Sequence, residues 1–160
     1  MKTKIVILIM TFLSNCLVYS QNVVYVKAQN YEGYIFPKAT SILGFPPAAN
    51  RYTLDNKDIE KAEDIIQNNI RNIYKQLFYK KCSNRKARKT FRRYIRQYVG
   101  YIMDNNHIIV EIHFTKKGVV EDMKFKEDVI SICDGGTYTW SVKIDLTNQT
   151  LDELSTNGEA

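Results

Sequence analysis

Residues 55–80 read DNKDIEKAEDIIQNNIRNIYKQLFYK, and this stretch predicts one long amphipathic helix, the clearest structural element in the chain. Its apolar residues recur at spacings of three and four, which places them on one helical face. They are Ile59, Ala62, Ile66, Ile70, Ile73 and Leu77, with Ile65 and Phe78 at the margins of the stripe. Asp55 or Asn56 can cap the first turn. The helix should end near Tyr79 or Lys80, and it has one face to bury against the rest of the domain.

The residues that follow the helix predict an antiparallel hairpin. Residues 94–103 and 107–114 each place apolar side chains at every second position, and the intervening Asp104-Asn105-Asn106 is typical of a turn. We expect a loop up to about Lys89 and a strand after it, although residues 87–98 also fit one face of a basic helix. The strand is favoured because the alternating segment 107–114 needs an antiparallel neighbour.

A second hairpin is predicted near the carboxyl terminus. Residues 129–133 and 138–146 are apolar at alternating positions and flank an Asp-Gly-Gly turn. A three-residue loop with a bulge would pair Ile132 with Trp140 and join the two apolar faces, whereas a two-residue turn would place apolar side chains opposite polar ones. We therefore expect the bulged hairpin, followed by a last short strand over residues 151–155.

The first twenty residues predict an export signal. Lys2 and Lys4 precede an apolar run over residues 5–13, and Val18-Tyr19-Ser20 supplies a cleavage site. An apolar run of this length is too short to span a bilayer, which takes roughly 20 residues. We therefore expect an extracytoplasmic protein, either periplasmic or secreted. Lipoprotein anchoring through Cys16 is the lesser alternative, because the residue before this cysteine is not the small one that such cleavage prefers.

The chain divides into a signal over residues 1–20, an amino-terminal strand and irregular wrap over 21–54, and one α+β domain over 55–160. Within the second part, residues 23–26 suit a short strand or an extended arm. Residues 29–52 carry two glycines and three prolines, which interrupt helices and sheets, so we expect the irregular wrap there. A mature chain of about 140 residues suits a single domain with one core.

Positive charge is concentrated in one segment. The chain has a formal charge of +6, and residues 80–96 contain nine basic residues and no acidic one. Because the signal removes two lysines, the rest of the mature chain is net acidic. The candidate binding residues in this segment are Arg85, Lys86, Arg88, Lys89, Arg92, Arg93 and Arg96, together with Tyr94 and Tyr98. The alternative is a solvated loop that its charges keep soluble.

A basic segment with interleaved aromatic residues fits several anionic partners. In the cytoplasm it would favour nucleic acid, because aromatic rings stack on bases while cations hold phosphates. Export makes nucleic acid an unexpected partner and leaves anionic lipid, acidic glycan or an acidic protein surface. Tyrosine and arginine are also enriched at protein interfaces, so an unknown protein partner is compatible with the same residues.

The sequence lacks the common nucleophile, phosphate-loop, dinucleotide and zinc-protease motifs, so we assign no catalytic residue, metal ligand or cofactor. His107 and His113 lie six residues apart on one predicted strand, about 20 Å, which is too far to share a metal ion. Cys82 and Cys133 are the candidate disulfide of an exported protein, with two unrelated buried thiols as the alternative. A cysteine nucleophile activated by either histidine has no supporting local signature.

Four short stretches of the chain resemble a group of known proteins. They are YIRQYVGY over residues 94–101, DGG over 134–136, VKIDLT over 142–147 and the terminal NGEA over 157–160. In these stretches the chain is similar to small exported bacterial proteins of uncharacterised function. The resemblance implies a cystatin-like fold over about residues 55–160, in which one long helix packs on a curved antiparallel sheet of about four strands. It implies no activity, because this fold hosts inhibitors, binding modules and enzymes.

These features together lead to an expected function. We expect an exported, non-catalytic binding protein, such as an inhibitor-like or immunity-like module that docks a protein partner. The first alternative is a protein that binds anionic membrane or glycan surfaces through residues 80–96. The second is a small hydrolase-like enzyme, which would need a histidine or carboxylate with a perturbed pKa in a pocket between helix and sheet.

Overall fold

The structure is a computed structural model that describes residues 23–156. The predicted signal over residues 1–20, with Cys16, and the terminal stretch 157–160 lie outside the described residues. No helix within residues 23–156 combines the length and the apolar content that spanning a membrane requires.

The described residues form seven strands and three α-helices. The strands are β1 (Val24–Lys27), β2 (Glu32–Phe36), β3 (Arg51–Tyr52), β4 (Tyr94–Ile102), β5 (Ile108–Lys116), β6 (Thr139–Asp145) and β7 (Thr150–Thr156). The helices are α1 (Asn56–Phe78), α2 (Asn84–Phe91) and the single turn α3 (Lys124–Glu127). All seven strands belong to one sheet in the order β1-β2-β4-β5-β6-β7, and β3 also pairs with β4. Neighbouring strands are antiparallel except β2 and β4, which are parallel.

The long helix predicted from the apolar stripe is confirmed as α1. A capping box closes its first turn: the Asp58 amide donates to the Asp55 carboxylate at 2.9 Å, and the Asp55 amide donates to the Asp58 carboxylate at 3.1 Å. Every residue of the predicted stripe is buried except Phe78, which is partly buried. The helix ends at Tyr79, whose backbone is left-handed with a φ of 51°.

The predicted hairpin over residues 94–114 is present as β4 and β5, which pair along their whole length. Asn106 in the connecting turn has a φ of 63°, a conformation that asparagine tolerates better than most residues. Alternate residues of β5, including Ile112 and Phe114, face the long helix. The last strand predicted over residues 151–155 is present as β7.

The expected cystatin-like α+β fold with a curved sheet of about four strands is wrong in the size of the sheet, which has seven strands. Two of the additional strands, β2 and β3, come from residues 29–52, which we expected to be irregular. The three prolines and Gly44 of this segment fall between β2 and β3, so they leave both strands intact. Gly33 lies within β2 for a packing reason, since an added Cβ would stand 2.1 Å from the Arg96 carbonyl oxygen of β4.

The predicted second hairpin is wrong in its first strand, residues 129–133. β6 pairs with β5 on one side and β7 on the other, so neither edge remains for these residues. Val129 and Ile130 instead pack on the face of the sheet opposite α1, next to Gln97 of β4. Gln97 Nε2 donates to the carbonyls of Phe125 and Asp128, at 3.0 and 2.8 Å. Its Oε1 accepts from the Ile130 amide at 2.8 Å.

The loop expected up to Lys89 is also wrong, because α2 occupies its second half. Ser83 caps this helix, and its hydroxyl accepts from the Lys86 amide at 3.3 Å. Ala87 and Phe91, one turn apart, are buried and fix the helix against the core. The basic-helix alternative is therefore correct for residues 87–91, and the predicted strand is correct from Tyr94 to Ile102.

Both faces of the sheet are covered by apolar packing. On one face, α1 and α2 enclose the larger core, in which the Phe114 and Trp140 rings stack with their centres 3.7 Å apart. On the other face, loop residues close a smaller cluster that includes Phe36, Val99 and Phe125. Because α2 buries only two side chains, its remaining sides face solvent.

Candidate functional site

The strongest candidate site is a group of basic side chains on and beside α2. We call it the basic face, and it consists of Lys80, Lys81, Arg85, Lys86, Arg88, Lys89, Arg92 and Arg93. All eight residues are exposed, since α2 turns its two apolar side chains inward. Within the described part of the chain, none of these eight side chains forms an ion pair. Their charge is therefore available to an external anion.

Two members of the basic face are positioned by neutral amide side chains. Arg88 Nε donates to Gln67 Oε1 of α1 at 3.1 Å. Arg92 Nη2 donates to Asn30 Oδ1, in the connection between β1 and β2, at 2.5 Å. Because both acceptors are uncharged, these contacts orient the guanidinium groups and leave their charge uncompensated.

Three of the predicted binding residues do not belong to this surface. Tyr94, Arg96 and Tyr98 are buried, because alternate residues of β4 face the helices. Phe91 is buried as well, and the Tyr94 hydroxyl donates to the Thr137 carbonyl at 2.7 Å. The aromatic rings that the sequence interleaves with the cations are therefore part of the core.

Arg96 forms a buried ion pair with Glu63 of α1. Arg96 Nε lies 2.7 Å from Glu63 Oε1, and the same oxygen accepts from the Tyr98 hydroxyl at 2.9 Å. The guanidinium also lies over the Phe114 ring, 5.0 Å from its centre. Arg96 Nη2 and Glu63 Oε2 have no hydrogen-bond partner within the described residues. Burial raises the pKa of Glu63, while the Arg96 charge and the Tyr98 hydroxyl act to lower it.

Three surface clefts lie around the hairpin of β1 and β2. One of about 520 Å³ lies between Tyr25 and Phe125, and one of about 240 Å³ lies between Lys27 and Arg92. A third of about 370 Å³ separates β1 from the start of α1. No histidine, no cysteine and not Glu63 lines any of these three clefts. The carboxylate of Glu32 lines the first two clefts, but neither of these two clefts includes a residue of α1, so neither is the pocket between helix and sheet that the hydrolase hypothesis describes.

Glu32 of β2 is the centre of a polar network between the first two clefts. Its carboxylate pairs with Lys117, lies 3.9 Å from Lys27 Nζ and accepts from the Tyr25 hydroxyl at 2.7 Å. Hydrogen bonds from Lys117 and Tyr25 lower the pKa of Glu32, and the bond to Glu32 raises the pKa of Tyr25 to about 12. The Lys117 amide donates to the Arg93 carbonyl at 2.8 Å, so this network adjoins the basic face.

The two histidines contact carboxylates at separate places. His107 Nδ1 lies 2.7 Å from Asp145 Oδ2, and His113 Nε2 lies 2.9 Å from Glu111 Oε1. Asp145 Oδ1 also accepts from two backbone amides of the β6–β7 turn, so this carboxylate holds the turn closed. Among the described residues, no three histidine, cysteine, aspartate or glutamate side chains are grouped closely enough to hold a metal ion.

The candidate disulfide is not formed, since Cys82 and Cys133 are free thiols. Cys82 packs against the core on the helical side of the sheet. Cys133 is exposed and lies three residues after Ile130, whose amide donates to Gln97. The histidine contacts described above go to carboxylates, and no cysteine takes part in them.

Two features were not identified from the sequence: Glu63, the buried partner of Arg96, and the group of Lys27, Glu32 and Lys117 beside the basic face. A signal for one was present, because Glu63 falls within the apolar stripe of α1, and a buried acid needs a partner such as Arg96. Lys27 and Glu32 face each other across the short β1–β2 connection, but no local pattern marks Lys117, which reaches Glu32 because β2 pairs with β4 and β4 pairs with β5. Only the tertiary structure reveals this second group.

The resemblance to small exported bacterial proteins rests on four short stretches, of which the terminal one lies outside the described residues. A function therefore has to be inferred from surface chemistry. No family model, curated protein or solved structure matches this chain.

Proposed function

We propose that this chain is an exported, non-catalytic protein that binds phosphate-bearing anionic membrane surfaces through its basic face. One observation carries the proposal: eight exposed cations between Lys80 and Arg93 have no ion-pair partner within the described residues. Each lysine or arginine near an anionic lipid surface contributes about 1 kcal/mol to binding. A group of this size therefore binds such a surface without a deep pocket.

Buried aromatic residues favour a lipid surface over single-stranded nucleic acid. Binding of unpaired bases depends on exposed aromatic rings that stack on them. Phe91, Tyr94 and Tyr98, which interleave with the cations in sequence, lie in the core. The basic face thus has the exposed cations that recognise phosphate, but the aromatic side chains of this segment are not exposed for stacking on bases.

Tyr79 supports the same assignment from the edge of the basic face. Its side chain is 90 % exposed, and it directly precedes Lys80 and Lys81. Tyrosine is enriched at membrane–water interfaces, where its ring lies at the depth of the headgroups and its hydroxyl stays hydrated. An exposed tyrosine beside cations is therefore suited to a peripheral contact with lipid.

A protein partner is less favoured for this surface. Stable protein interfaces have an apolar or aromatic centre surrounded by a polar rim. The exposed positions of α2 are polar or charged, because its apolar side chains, Ala87 and Phe91, face inward. The basic face therefore has the composition of a rim without a centre.

The test is co-sedimentation of the chain with lipid vesicles. The variant Lys86→Glu/Lys89→Glu reverses two charges on α2, and Lys38→Glu/Lys57→Glu reverses two exposed lysines elsewhere. Lys57 is in the first turn of α1, ten residues or about 15 Å along the helix before Gln67, the residue of α1 that Arg88 contacts. Vesicles of phosphatidylcholine alone are compared with vesicles that also contain phosphatidylglycerol.

We expect binding only to the vesicles with phosphatidylglycerol, and a steep loss with salt as the Debye length falls from about 10 Å at 0.1 M to about 3 Å at 1 M. The α2 variant should lose at least about tenfold in affinity, and the control variant should stay within about twofold. Equal losses in both variants would reduce the effect to net charge and contradict the proposal. Salt-independent binding, or tighter binding to duplex DNA than to vesicles, would also contradict it.

A further inference from the structure

A small recess adjoins the basic face at the carboxyl end of α2. It has a volume of about 240 Å³ and lies where the connection between β1 and β2 approaches the end of β5. Lys27, Asn30, Glu32, Arg92 and Lys117 contribute to its wall. Arg92 belongs to both the recess and the basic face, so the two form one continuous surface.

The recess carries an excess of positive charge that its own carboxylate only partly compensates. Three of the wall residues are cationic, and Glu32 is the single acid among them. Lys117 pairs with Glu32, and Lys27 is more loosely placed, 3.9 Å from the same carboxylate. An anion that enters the recess would therefore compete with Glu32 for both lysines and meet Arg92 without competition.

Arg92 is already oriented for such an anion. Its Nη2 donates to Asn30 Oδ1 at 2.5 Å, which holds the guanidinium at the wall of the recess. A guanidinium has five N–H donors in a planar fork, and this geometry matches two oxygens of a phosphate. Because Asn30 is neutral, the full charge of Arg92 remains for a ligand.

The size of the recess limits the ligand to a headgroup. Liquid water occupies about 30 Å³ per molecule, so the volume corresponds to roughly eight waters. Sites for drug-sized ligands measure about 300–1,000 Å³, which is larger than the 240 Å³ here. A phosphate with a short alcohol fits these limits, and an acyl chain would have to remain outside in the membrane.

We infer that this recess is a phosphate-monoester subsite of the basic face, which takes the terminal phosphate of a lipid headgroup between Arg92, Lys27 and Lys117. The inference rests on the proposed function, because it names the group on the membrane that the basic face recognises. It adds selectivity to a surface that would otherwise respond only to charge density.

The first experiment titrates the full chain with glycerol 3-phosphate and, separately, with inorganic phosphate, measured by calorimetry. Arg92→Gln removes the guanidinium of the recess, and Arg71→Gln removes an exposed arginine of α1 as the matched control. We expect Arg92→Gln to weaken binding of glycerol 3-phosphate by about tenfold and Arg71→Gln to leave it within about twofold. Equal effects of the two variants on binding of glycerol 3-phosphate would contradict the assignment of the recess as a phosphate subsite.

A second variant tests the recess by a gain of affinity. Glu32→Gln removes the carboxylate that competes for Lys117 and Lys27 while keeping the shape of the side chain. We expect it to tighten binding of glycerol 3-phosphate by about threefold or more, because an anion no longer displaces a charged partner. A variant that binds more weakly than the wild type would overturn the assignment.

Vesicles distinguish the source of the phosphate and separate this inference from the proposed function. We expect vesicles with phosphatidic acid, a monoester, to bind more tightly than vesicles of equal anionic charge with phosphatidylglycerol, a diester. Binding of inorganic phosphate without a preference for phosphatidic acid would overturn the lipid assignment. Binding to phosphatidylglycerol without any binding of glycerol 3-phosphate would remove the recess and leave the proposed function. Failure to bind either vesicle would remove both.

Discussion

The basic segment has two parts in opposite environments. The residues from Lys80 to Arg93 are on or beside α2, where their cations are exposed and have no ion-pair partner in the described chain, whereas Arg96 is fully buried and paired with Glu63. A short helix at the surface buries a narrow stripe and exposes the rest of its circumference. An interior strand, by contrast, has both faces covered. Charge density along a sequence therefore does not assign every charge to a surface.

The largest expected change in stability comes from removing one partner of the buried ion pair of Glu63 and Arg96. Glu63→Ala leaves Arg96 charged, buried and without its counterion, which should lower the free energy of unfolding by about 3–5 kcal/mol. Urea unfolding measures this loss. Arg85→Ala, on the exposed side, should change the same quantity by no more than about 0.5 kcal/mol. Similar values for the two variants would contradict the distinction between the two parts.

Removal of both charges of the buried pair tests whether the pair itself stabilises the protein or only the loss of one partner is costly. Arg96 Nη2 and Glu63 Oε2 lack hydrogen-bond partners within the described residues, so the pair is incompletely satisfied. The triple variant Glu63→Leu/Arg96→Met/Tyr98→Phe, which also removes the buried hydroxyl that donates to Glu63, should therefore unfold within about 1 kcal/mol of the wild type, or be more stable. A loss equal to that of Glu63→Ala would show that the pair itself stabilises the core.

The next effect in size asks whether the cost of a buried polar residue follows its charge or its partners. Gln97 is neutral and makes three hydrogen bonds to the loop on the other face of the sheet. Gln97→Leu should lower the free energy of unfolding by about 2–3 kcal/mol and speed hydrogen exchange over residues 125–130. Gln67→Leu, which removes one exposed acceptor, is the control. Unchanged exchange in the loop would contradict the role of Gln97.

Asp145, a buried acid outside the basic segment, should make the free energy of unfolding depend on pH. Burial raises the pKa of Asp145, but hydrogen bonds from Asn148, His107 and Thr147 outweigh it, so the folded-state pKa is lowered. The contribution of the carboxylate is present above its unfolded pKa of about 3.9 and is lost as pH falls through the folded value. Asp145→Asn should cost about 2 kcal/mol at pH 7 and progressively less below about pH 4. A cost that does not vary with pH would contradict this.

The smallest expected effect is a gain in stability, and it concerns the exposed Tyr79 next to the basic face. Tyr79 adopts a φ of 51° at the end of α1, a conformation that glycine adopts without steric cost. Tyr79→Gly should therefore raise the free energy of unfolding by about 0.5–1 kcal/mol, as measured by urea unfolding. If Tyr79 contacts the membrane, the same variant should bind phosphatidylglycerol vesicles more weakly. A less stable variant would contradict the strain argument.

Several elements were predictable because their signals are local. The apolar stripe of α1 and the alternation in β5 repeat within a few residues, so both elements follow from the sequence. The exposed cations around α2 were also identified, although the loop expected before Lys89 is a helix. Residues 129–133 were misassigned because β7, a strand later in the chain, takes the edge of β6 that they were expected to occupy.

The long helix, the β4–β5 hairpin and the concentration of positive charge can be read from the amino-acid sequence alone, since helix periodicity, strand alternation and composition are properties of neighbouring residues. The three-dimensional fold adds β2 and β3 to the sheet, buries Arg96 in the core apart from the basic face, and places Lys27 and Lys117 near Arg92 around a recess. These outcomes depend on contacts between segments far apart in the chain. Such contacts follow from which faces are buried together, and no local pattern records them.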